Sequence, residues 1–135
     1  YDARPCSMNG LFATDYVCDR LKGYYPFRMF NELVKLGDSL KTESDCDKLF
    51  SCAAKSENAM AFVVAYFDDD NNAEEKEVKI SFENIDAKKR KVSYFLLDEN
   101  HDEELVRDEI VTGESISSYI KMPLYSAYLI KIEEI

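Results

Sequence analysis

The sequence has no tryptophan and a single histidine, His101, among its 135 residues. A zinc site is not expected, because it needs several closely spaced Cys or His ligands and the four cysteines form no Cys-x-x-Cys pair. Flat sugar-binding faces often use Trp, so any such role would fall to tyrosine. No apolar run approaches the ~20 residues that a bilayer-spanning helix needs, which argues against a membrane protein.

Positive charge is also scarce. Lys and Arg together number 17 against 27 Asp and Glu, which gives a net charge of −10. An acidic surface repels phosphate groups, so the sequence predicts no nucleic-acid partner and no anionic membrane partner. The basic run at 88–91 is interpreted as a charge-rich turn that guards a strand edge.

Four cysteines, at positions 6, 18, 46 and 52, allow two disulfides in three connectivities. Cys52 lies in a strand-like run, where a buried free thiol is common. We favour reduced cysteines, and with them a cytoplasmic location slightly over a secreted one. Neither a metal nor a cofactor is expected.

A short helix near the start of the chain has signals at both ends. Pro26 suits a first helical turn and Gly37 suits the cap after the last turn, which predicts a helix over about 26–36. At ~100° per residue its apolar side chains spread over roughly 180°, more than contact with one core requires. We therefore expect the helix to contact two bodies, one of them outside this chain. The apolar residues are Phe27, Met29, Phe30, Leu33, Val34 and Leu36.

The chain beyond the helix is interpreted as short strands separated by acidic or Asn-rich turns. Segment 78–82 alternates apolar and polar residues, and segment 60–67 is apolar on both faces, which favours a central strand. No helical pattern separates the strands. We predict a mainly β fold, an antiparallel two-sheet β-sandwich at 38–135 preceded by one N-terminal α-helix. The predicted strands lie near 39–44, 47–55, 59–68, 76–84, 90–98, 108–112, 115–122 and 125–134, with a long acidic connection at 98–109.

One acidic tract resembles part of a calcium-binding loop. Asp68, Asp70 and Asn72 occupy its first, third and fifth positions. The sixth position is Ala73, where Gly is needed for the sharp turn, and the twelfth is Lys79, where a bidentate Glu is needed. The tract is therefore predicted to be a solvated hairpin turn.

No catalytic group is recognisable. His101 lies in an acidic loop without a Ser or Cys set beside it as a nucleophile. The carboxylates fall in predicted turns or on outward strand faces, and nothing indicates the buried carboxyl with a raised pKa that an acid catalyst requires. Tyr94, Tyr119, Tyr125 and Tyr128 are candidates for stacking against sugar rings, although amphipathic residues at the core edge are the favoured interpretation.

Three N-terminal segments resemble the end of the catalytic barrel in β-xylosidase-like glycoside hydrolases. They are Tyr-Asp-Ala-Arg-Pro at 1–5, Asn-Gly-Leu-Phe at 9–12 and the helical region at 21–33. Glycoside hydrolase family 39 is the nearest family, and the arabinofuranosidase-type family 51 is a neighbour in architecture. In these enzymes a (β/α)8 barrel is followed by a β-sandwich. Its strands resemble segments 59–67, 91–98 and 121–133.

The resemblance implies a non-catalytic C-terminal accessory domain. Residues 1–37 would be the end of the barrel with its last helix, and residues 38–135 would be the sandwich. The partner would be the catalytic barrel and, through it, carbohydrate, with xylose as the expected sugar. The start at Tyr1 instead of Met indicates a processed, truncated or engineered start, and without a barrel we expect the chain to self-associate.

The resemblance also implies which residues would lie near substrate in the parent enzyme. They are Tyr1, Asp2, Arg4 and Asn9, because active sites form at the C-terminal ends of barrel strands. Met8 stands where Trp is expected, which argues against an unchanged sugar subsite in this loop. The family's catalytic glutamates lie on earlier strands, so this chain alone is expected to be inactive. A stand-alone carbohydrate-binding module and an Ig-like interaction module remain alternatives.

Overall fold

A computed structural model describes residues 11–12 and 19–135. Along this part of the chain one helix is followed by eight strands. None of the helical structure described is long and apolar enough to cross a membrane. The helix α1 is Tyr24–Leu36, and the strands are β1 Asp38–Leu40, β2 Leu49–Lys55, β3 Ala59–Tyr66, β4 Lys76–Phe82, β5 Lys88–Leu97, β6 Asp102–Gly113, β7 Ile116–Met122 and β8 Ala127–Glu134.

The strands form two sheets with antiparallel pairing throughout. The larger sheet has the order β1-β2-β3-β8-β5-β6, and the smaller one pairs β4 with β7. The small sheet packs on one face of the large sheet, and α1 packs on the other. The prediction of a mainly β, two-sheet sandwich with one helix is therefore confirmed. The boundary placed between residues 37 and 38 stays a prediction.

The core between the sheets follows from alternation along the strands. On β7 every second side chain, beginning with Ile116, is buried, while Tyr119 and its outward neighbours face solvent. Burial of these apolar side chains is the main force that holds the two sheets together. The residues of this core are Val64, Tyr66, Ile80, Val92, Tyr94, Leu96, Ile116, Ile120, Met122, Tyr128, Ile130 and Ile132.

Helix α1 begins two residues earlier than the sequence indicated, at Tyr24. Pro26 remains within the first turn, where its missing N–H costs no helical hydrogen bond. The helix ends at Leu36 and is capped by Gly37, whose φ of +98° is readily accessible only to glycine. Tyr25, Met29 and Leu33 bury one face of α1 against the large sheet. Their partners on the sheet are Ala54, Ala61, Leu97 and Leu129.

Two strands differ from their predicted bounds by more than two residues. The segment expected to be a long acidic connection, 98–109, is largely strand, because β6 begins at Asp102 and continues to Gly113. Its pairing with β5 skips Glu103 and Val106, so two bulges break the period of two that marks a strand in a sequence. Strand β1 is shorter than the predicted 39–44 and ends at Leu40.

Candidate functional site

Helix α1 has a second apolar face that the rest of the described chain does not cover. Phe27, Phe30 and Val34 are 69%, 55% and 61% exposed, whereas Met29 on the sheet side is 1% exposed. Positions 27, 30 and 34 share one side of a helix because they are three and four residues apart. We call these three residues the outer stripe. The sheet is one of the two bodies expected to contact α1, and the second body remains a prediction.

Ion pairs fix the orientation of α1 on the sheet. Lys131 of β8 donates to Glu32 at 2.9 Å, and Lys35 also donates to Glu32. These hydrogen bonds, from Lys35 first and then Lys131, hold the pKa of Glu32 below its usual range. Just before the helix, Nζ of Lys22 lies 2.6 Å from the carboxylate of Asp102 at the start of β6. These contacts hold α1 against β6 and β8 and thereby fix the direction in which the outer stripe faces.

Glu103 is a buried carboxyl that the sequence did not reveal. It is the bulged residue at the start of β6, with φ +59°, and its side chain is 3% exposed. Nε of Arg28 lies 3.3 Å from Oε2, yet this oxygen accepts no hydrogen bond within the described structure. Burial raises the pKa of Glu103, which corrects the expectation that no carboxyl here is buried with a raised pKa. Because the group lies buried beside α1, a substrate has no access to it.

Three of the four tyrosines proposed to stack sugars, Tyr94, Tyr119 and Tyr128, line one pocket of about 280 Å³, together with Arg107. The fourth, Tyr125, is 50% exposed and lies outside this pocket, with its ring against that of Phe67. The Arg107 guanidinium lies 3.8 Å from the centre of the Tyr94 ring and donates to the backbone oxygen of Tyr119. Tyr94 and Tyr128 are buried, and burial raises the pKa of both hydroxyls, whereas Tyr119 is 58% exposed. A stacking platform needs an accessible ring face, and of these three only Tyr119 offers one.

The acidic tract is a turn stabilised by its own side chains. The Asp68 carboxylate accepts from the backbone N–H of Asp70 at 3.0 Å, and the Asp70 carboxylate accepts from the N–H of Asn72 at 2.9 Å. These Asx turns engage one oxygen of each of the two carboxylates. No group of three or more metal-ligating side chains occurs among residues 11–12 and 19–135.

His101 belongs to a second capped turn. One oxygen of Asp98 accepts from the backbone N–H groups of Asn100 and His101, both at 2.8 Å, and also lies 2.8 Å from Nδ1 of the His101 ring. Burial opposes ionisation of Asp98, but the bonds from the His101 ring and the two N–H groups outweigh it and lower its pKa. The geometry gives His101 a structural partner, and its role is to close the β5–β6 connection.

Several predicted residues lie outside the described part of the chain. Tyr1, Asp2, Arg4 and Asn9 are among them, so their placement near a substrate stays a prediction. Cys46 and Cys52 are free thiols, and burial raises the pKa of Cys52. The other two cysteines, at positions 6 and 18, also fall outside the described residues.

Solved glycoside hydrolase structures share this fold. A GH39 enzyme from Xanthomonas axonopodis pv. citri superposes with a TM-score of 0.78 at 10% identity, over 93% of this chain and 32% of that chain. A glucosidase from Croceicoccus marinus does so with a TM-score of 0.74 at 12% identity, over 92% and 33%. A family 30 subfamily 8 xylanase from Clostridium acetobutylicum gives 0.68 at 15%, over 94% and 31%.

At these identities the likeness shows a common fold. This chain spans about a third of the length of those structures. No protein-family model matches the sequence, and no curated protein matches it. The neighbours are glycoside hydrolases of more than one family, so membership of family 39 in particular stays a prediction.

Proposed function

We propose that this chain is the non-catalytic β-sandwich domain of a glycoside hydrolase and that it docks on the catalytic (β/α)8 barrel of its parent through the outer stripe of α1. The observation that carries the proposal is the second apolar face of α1, formed by Phe27, Phe30 and Val34. A helix with apolar residues on two sides requires cover on both, and the large sheet covers one.

The energetics favour a docked outer stripe. Full burial of each such side chain is worth about 1.5–3 kcal/mol, so covering the exposed parts of all three would contribute roughly 3–5 kcal/mol. In the neighbouring hydrolases only about a third of the chain superposes on this one. The remaining two thirds are long enough to form the barrel that would cover the stripe. Burial of Met29 and Leu33 on the inner side keeps the stripe in place.

The parent's chemistry is proposed from the resemblance in the N-terminal segments. The reaction would be hydrolysis of a glycosidic bond, with xylose as the terminal sugar, by a pair of carboxylates in a retaining mechanism. Both carboxylates would belong to the barrel, because the one buried carboxyl found among the described residues, Glu103, is inaccessible to a substrate.

Two measurements test the proposal. An immunoblot against this chain in its source cells should show a band about three times its own size, as expected from the coverage of the neighbours. The barrel, expressed separately, should bind this chain in analytical ultracentrifugation, and Phe27→Glu with Phe30→Glu should abolish that binding. Tyr119→Glu is the matched control, since Tyr119 is equally exposed but lies on the small sheet.

The outcomes separate clearly. Binding lost in the stripe variant and kept in the control supports the proposal. A band at the chain's own size, or barrel binding that survives the stripe variant, overturns it. Without the barrel the wild-type chain should self-associate, and the stripe variant should be monomeric at the same concentration.

A second candidate function rests on Tyr119. Its exposed ring lies beside Arg107 and is the kind of surface that stacks against a sugar. This one residue supports the alternative that the chain is a stand-alone carbohydrate-binding module. Retention on xylan that is lost in Tyr119→Ala and kept in Phe27→Ala would favour this function over the accessory domain.

A further inference from the structure

Three exposed aromatic side chains lie close together at one end of the large sheet. Phe50 of β2, Phe67 just after β3 and Tyr125 just before β8 are each at least half exposed. Leu49 and Tyr66 pack in the core between the sheets. Phe50 and Phe67 are the next residues along their strands, so their side chains face the opposite way, toward the side of the sheet on which α1 packs. We call Phe50, Phe67 and Tyr125 the aromatic cluster.

The aromatic cluster extends across β2, β3 and β8, which are neighbours in the large sheet. The backbone N–H of Phe67 donates to the oxygen of Lys48 at 3.1 Å. Phe50 and Phe67 are therefore diagonal neighbours on one face of the sheet, roughly 7–8 Å apart. The rings of Phe67 and Tyr125 have centroids 5.7 Å apart and planes at 48°. The three rings thus lie side by side and form a continuous aromatic surface.

Tyr125 holds its place in the cluster against backbone strain. Its φ is +63°, a conformation that Gly adopts freely and a bulky residue rarely adopts. Its hydroxyl donates to Oδ1 of Asn71 and lies 3.3 Å from the backbone oxygen of Asp68. Strained residues that the surrounding structure holds in place occur most often at functional sites. The strain at this turn therefore points to a role for the ring itself.

Polar groups border the rings of the cluster. Asp68 directly follows Phe67, and Nζ of Lys48 lies 3.6 Å from its carboxylate. Asn71 accepts the Tyr125 hydroxyl bond through its amide oxygen, and its amide nitrogen donates no hydrogen bond within the described structure. A pyranose sugar has an apolar face of C–H groups and a rim of hydroxyls that donate and accept. Aromatic rings beside a carboxylate, an amide and an ammonium group complement both parts of such a sugar.

Helix α1 begins at the same end of the sheet as the aromatic cluster. Nζ of Lys22, just before α1, donates to the backbone oxygen of His101 at 3.0 Å, in the β5–β6 connection. Leu97 at the end of β5 and Ala65 near the end of β3 both pair with Ala127 at the start of β8. This connection and the cluster therefore share one end of the sheet. In a (β/α)8 barrel each helix begins at the face where the strands end, which is the face that carries the active site.

We propose that the aromatic cluster binds a linear oligosaccharide of neutral pyranose sugars, as an outlying subsite for the polysaccharide on which the parent's barrel acts. The inference rests on the proposed function, under which α1 is the last helix of that barrel and the cluster lies on its catalytic side. The rings stack against the sugar faces. The side chains of Lys48, Asp68 and Asn71 bind the hydroxyl groups.

The charges beside the rings favour a sugar over a protein surface. Covering Lys48 and Asp68 with protein would strip water from both charges, a desolvation cost that their mutual attraction does not reliably repay. A sugar leaves them partly hydrated and supplies hydroxyls as partners. Both signs of charge lie at this border, so a charged ligand is not selected. The net charge of −10 also opposes contact with a second copy of this chain.

The test is a titration of the ¹⁵N-labelled chain with xylohexaose and with cellohexaose, followed by NMR through the backbone and side-chain amide signals. Tyr125→Gly removes one ring of the cluster and should stay folded, because Gly adopts a φ of +63° without strain. Phe67→Ala removes its neighbour. Tyr119→Ala removes a similarly exposed ring on the small sheet and is the matched control. Urea denaturation checks that all three variants are folded.

We expect at least one of the two sugars to shift the signals of residues 48–50, 67–71 and 125. Tyr125→Gly and Phe67→Ala should each bind it about tenfold or more weakly, and Tyr119→Ala should bind it as the wild type does. The inference is overturned if neither sugar shifts these signals, if the shifts centre on Tyr119, or if Tyr125→Gly binds as the wild type does. Shifts at the cluster that grow with the concentration of this chain alone indicate self-association and also overturn it.

The inference and the proposed function fail in different ways. If Phe67→Glu with Tyr125→Glu abolishes binding of the separately expressed barrel, then the barrel covers the cluster. That result overturns the sugar subsite and leaves the accessory domain in place. An immunoblot band at the chain's own size overturns the accessory domain, and with it the subsite, and sugar binding at the cluster would then belong to an independent module.

Discussion

Arg28 of α1 and Glu103 of β6 form an ion pair across the interface between helix and sheet, with Nε 3.3 Å from Oε2. The Arg28 side chain is half exposed, while that of Glu103 is buried. The carboxyl therefore carries most of the desolvation cost of the pair, and Arg28 compensates part of it from the solvent side. The helix that bears the outer stripe is positioned in part by this contact.

Glu103→Gln should flatten a pH dependence of stability. Burial raises the pKa of Glu103 above its usual 4.5, so the folded chain holds this proton more tightly than the unfolded chain. The native state then loses stability as the pH rises from about 4.5 through the raised folded pKa. Gln does not titrate and removes this loss. Urea denaturation across that range should show it, with exposed Glu104→Gln as the control; parallel curves for wild type and Glu103→Gln would contradict it.

Arg28→Ala should destabilise the chain by about 1–3 kcal/mol near neutral pH, because it leaves the buried carboxylate without its cation. The cost should fall toward zero in a Glu103→Gln background, where no charge needs compensation. A double-mutant cycle by urea denaturation measures the coupling between the two residues. Equal costs of Arg28→Ala in both backgrounds would show that the guanidinium acts elsewhere.

Asp98→Asn should destabilise the native state by about 1 kcal/mol near neutral pH, through weaker acceptance of three hydrogen bonds. The pKa of Asp98 is lowered from 3.8, so its stabilisation is present above that pH and is lost as the pH falls through the folded pKa. The difference between wild type and variant should therefore shrink in acid. Exposed Glu99→Gln is the control, and a difference independent of pH would exclude this origin.

Met29→Ala and Phe30→Ala compare the two apolar faces of α1 in adjacent positions. Met29 is 1% exposed, and its truncation should cost about 2–5 kcal/mol. Phe30→Ala should change the stability of the isolated chain by about 0.5 kcal/mol or less. Thermal unfolding of the two variants provides the comparison. A large loss in Phe30→Ala would mean that the outer face is already covered within this chain.

The strands with one buried face were readable from the sequence because their alternation is regular. Strand β4 was predicted at 76–84 and is found at Lys76–Phe82, with Ile80 toward the core and Lys79 toward solvent. Strand β6 was largely missed because its bulges at Glu103 and Val106 shift the period. A bulge depends on how the strand pairs with its partner, so the local sequence pattern does not reveal it.

The same reasoning accounts for the tyrosines. Tyr128 is separated from Ile130 and Ile132 by even numbers of residues, so its side chain faces the same side of β8 as theirs. The alternation that predicted β8 therefore also predicts that Tyr128 is buried. Tyr119 has the opposite parity to Ile120 and faces outward. The gathering of these rings around Arg107 could not be predicted, since it depends on how β6 of the large sheet meets β7 of the small one.

The order of the strands has a consequence for biosynthesis. Strand β8 is the last of these eight strands to be made by the ribosome, yet it lies between β3 and β5 in the middle of the large sheet. Until it emerges, β1–β3 and β5–β6 are separate ribbons with open inner edges, and the nascent chain exposes both to aggregation. A premature stop codon just before Ala127 would therefore do more than shorten the protein. It would divide the large sheet in two and leave no continuous surface on which α1 could pack.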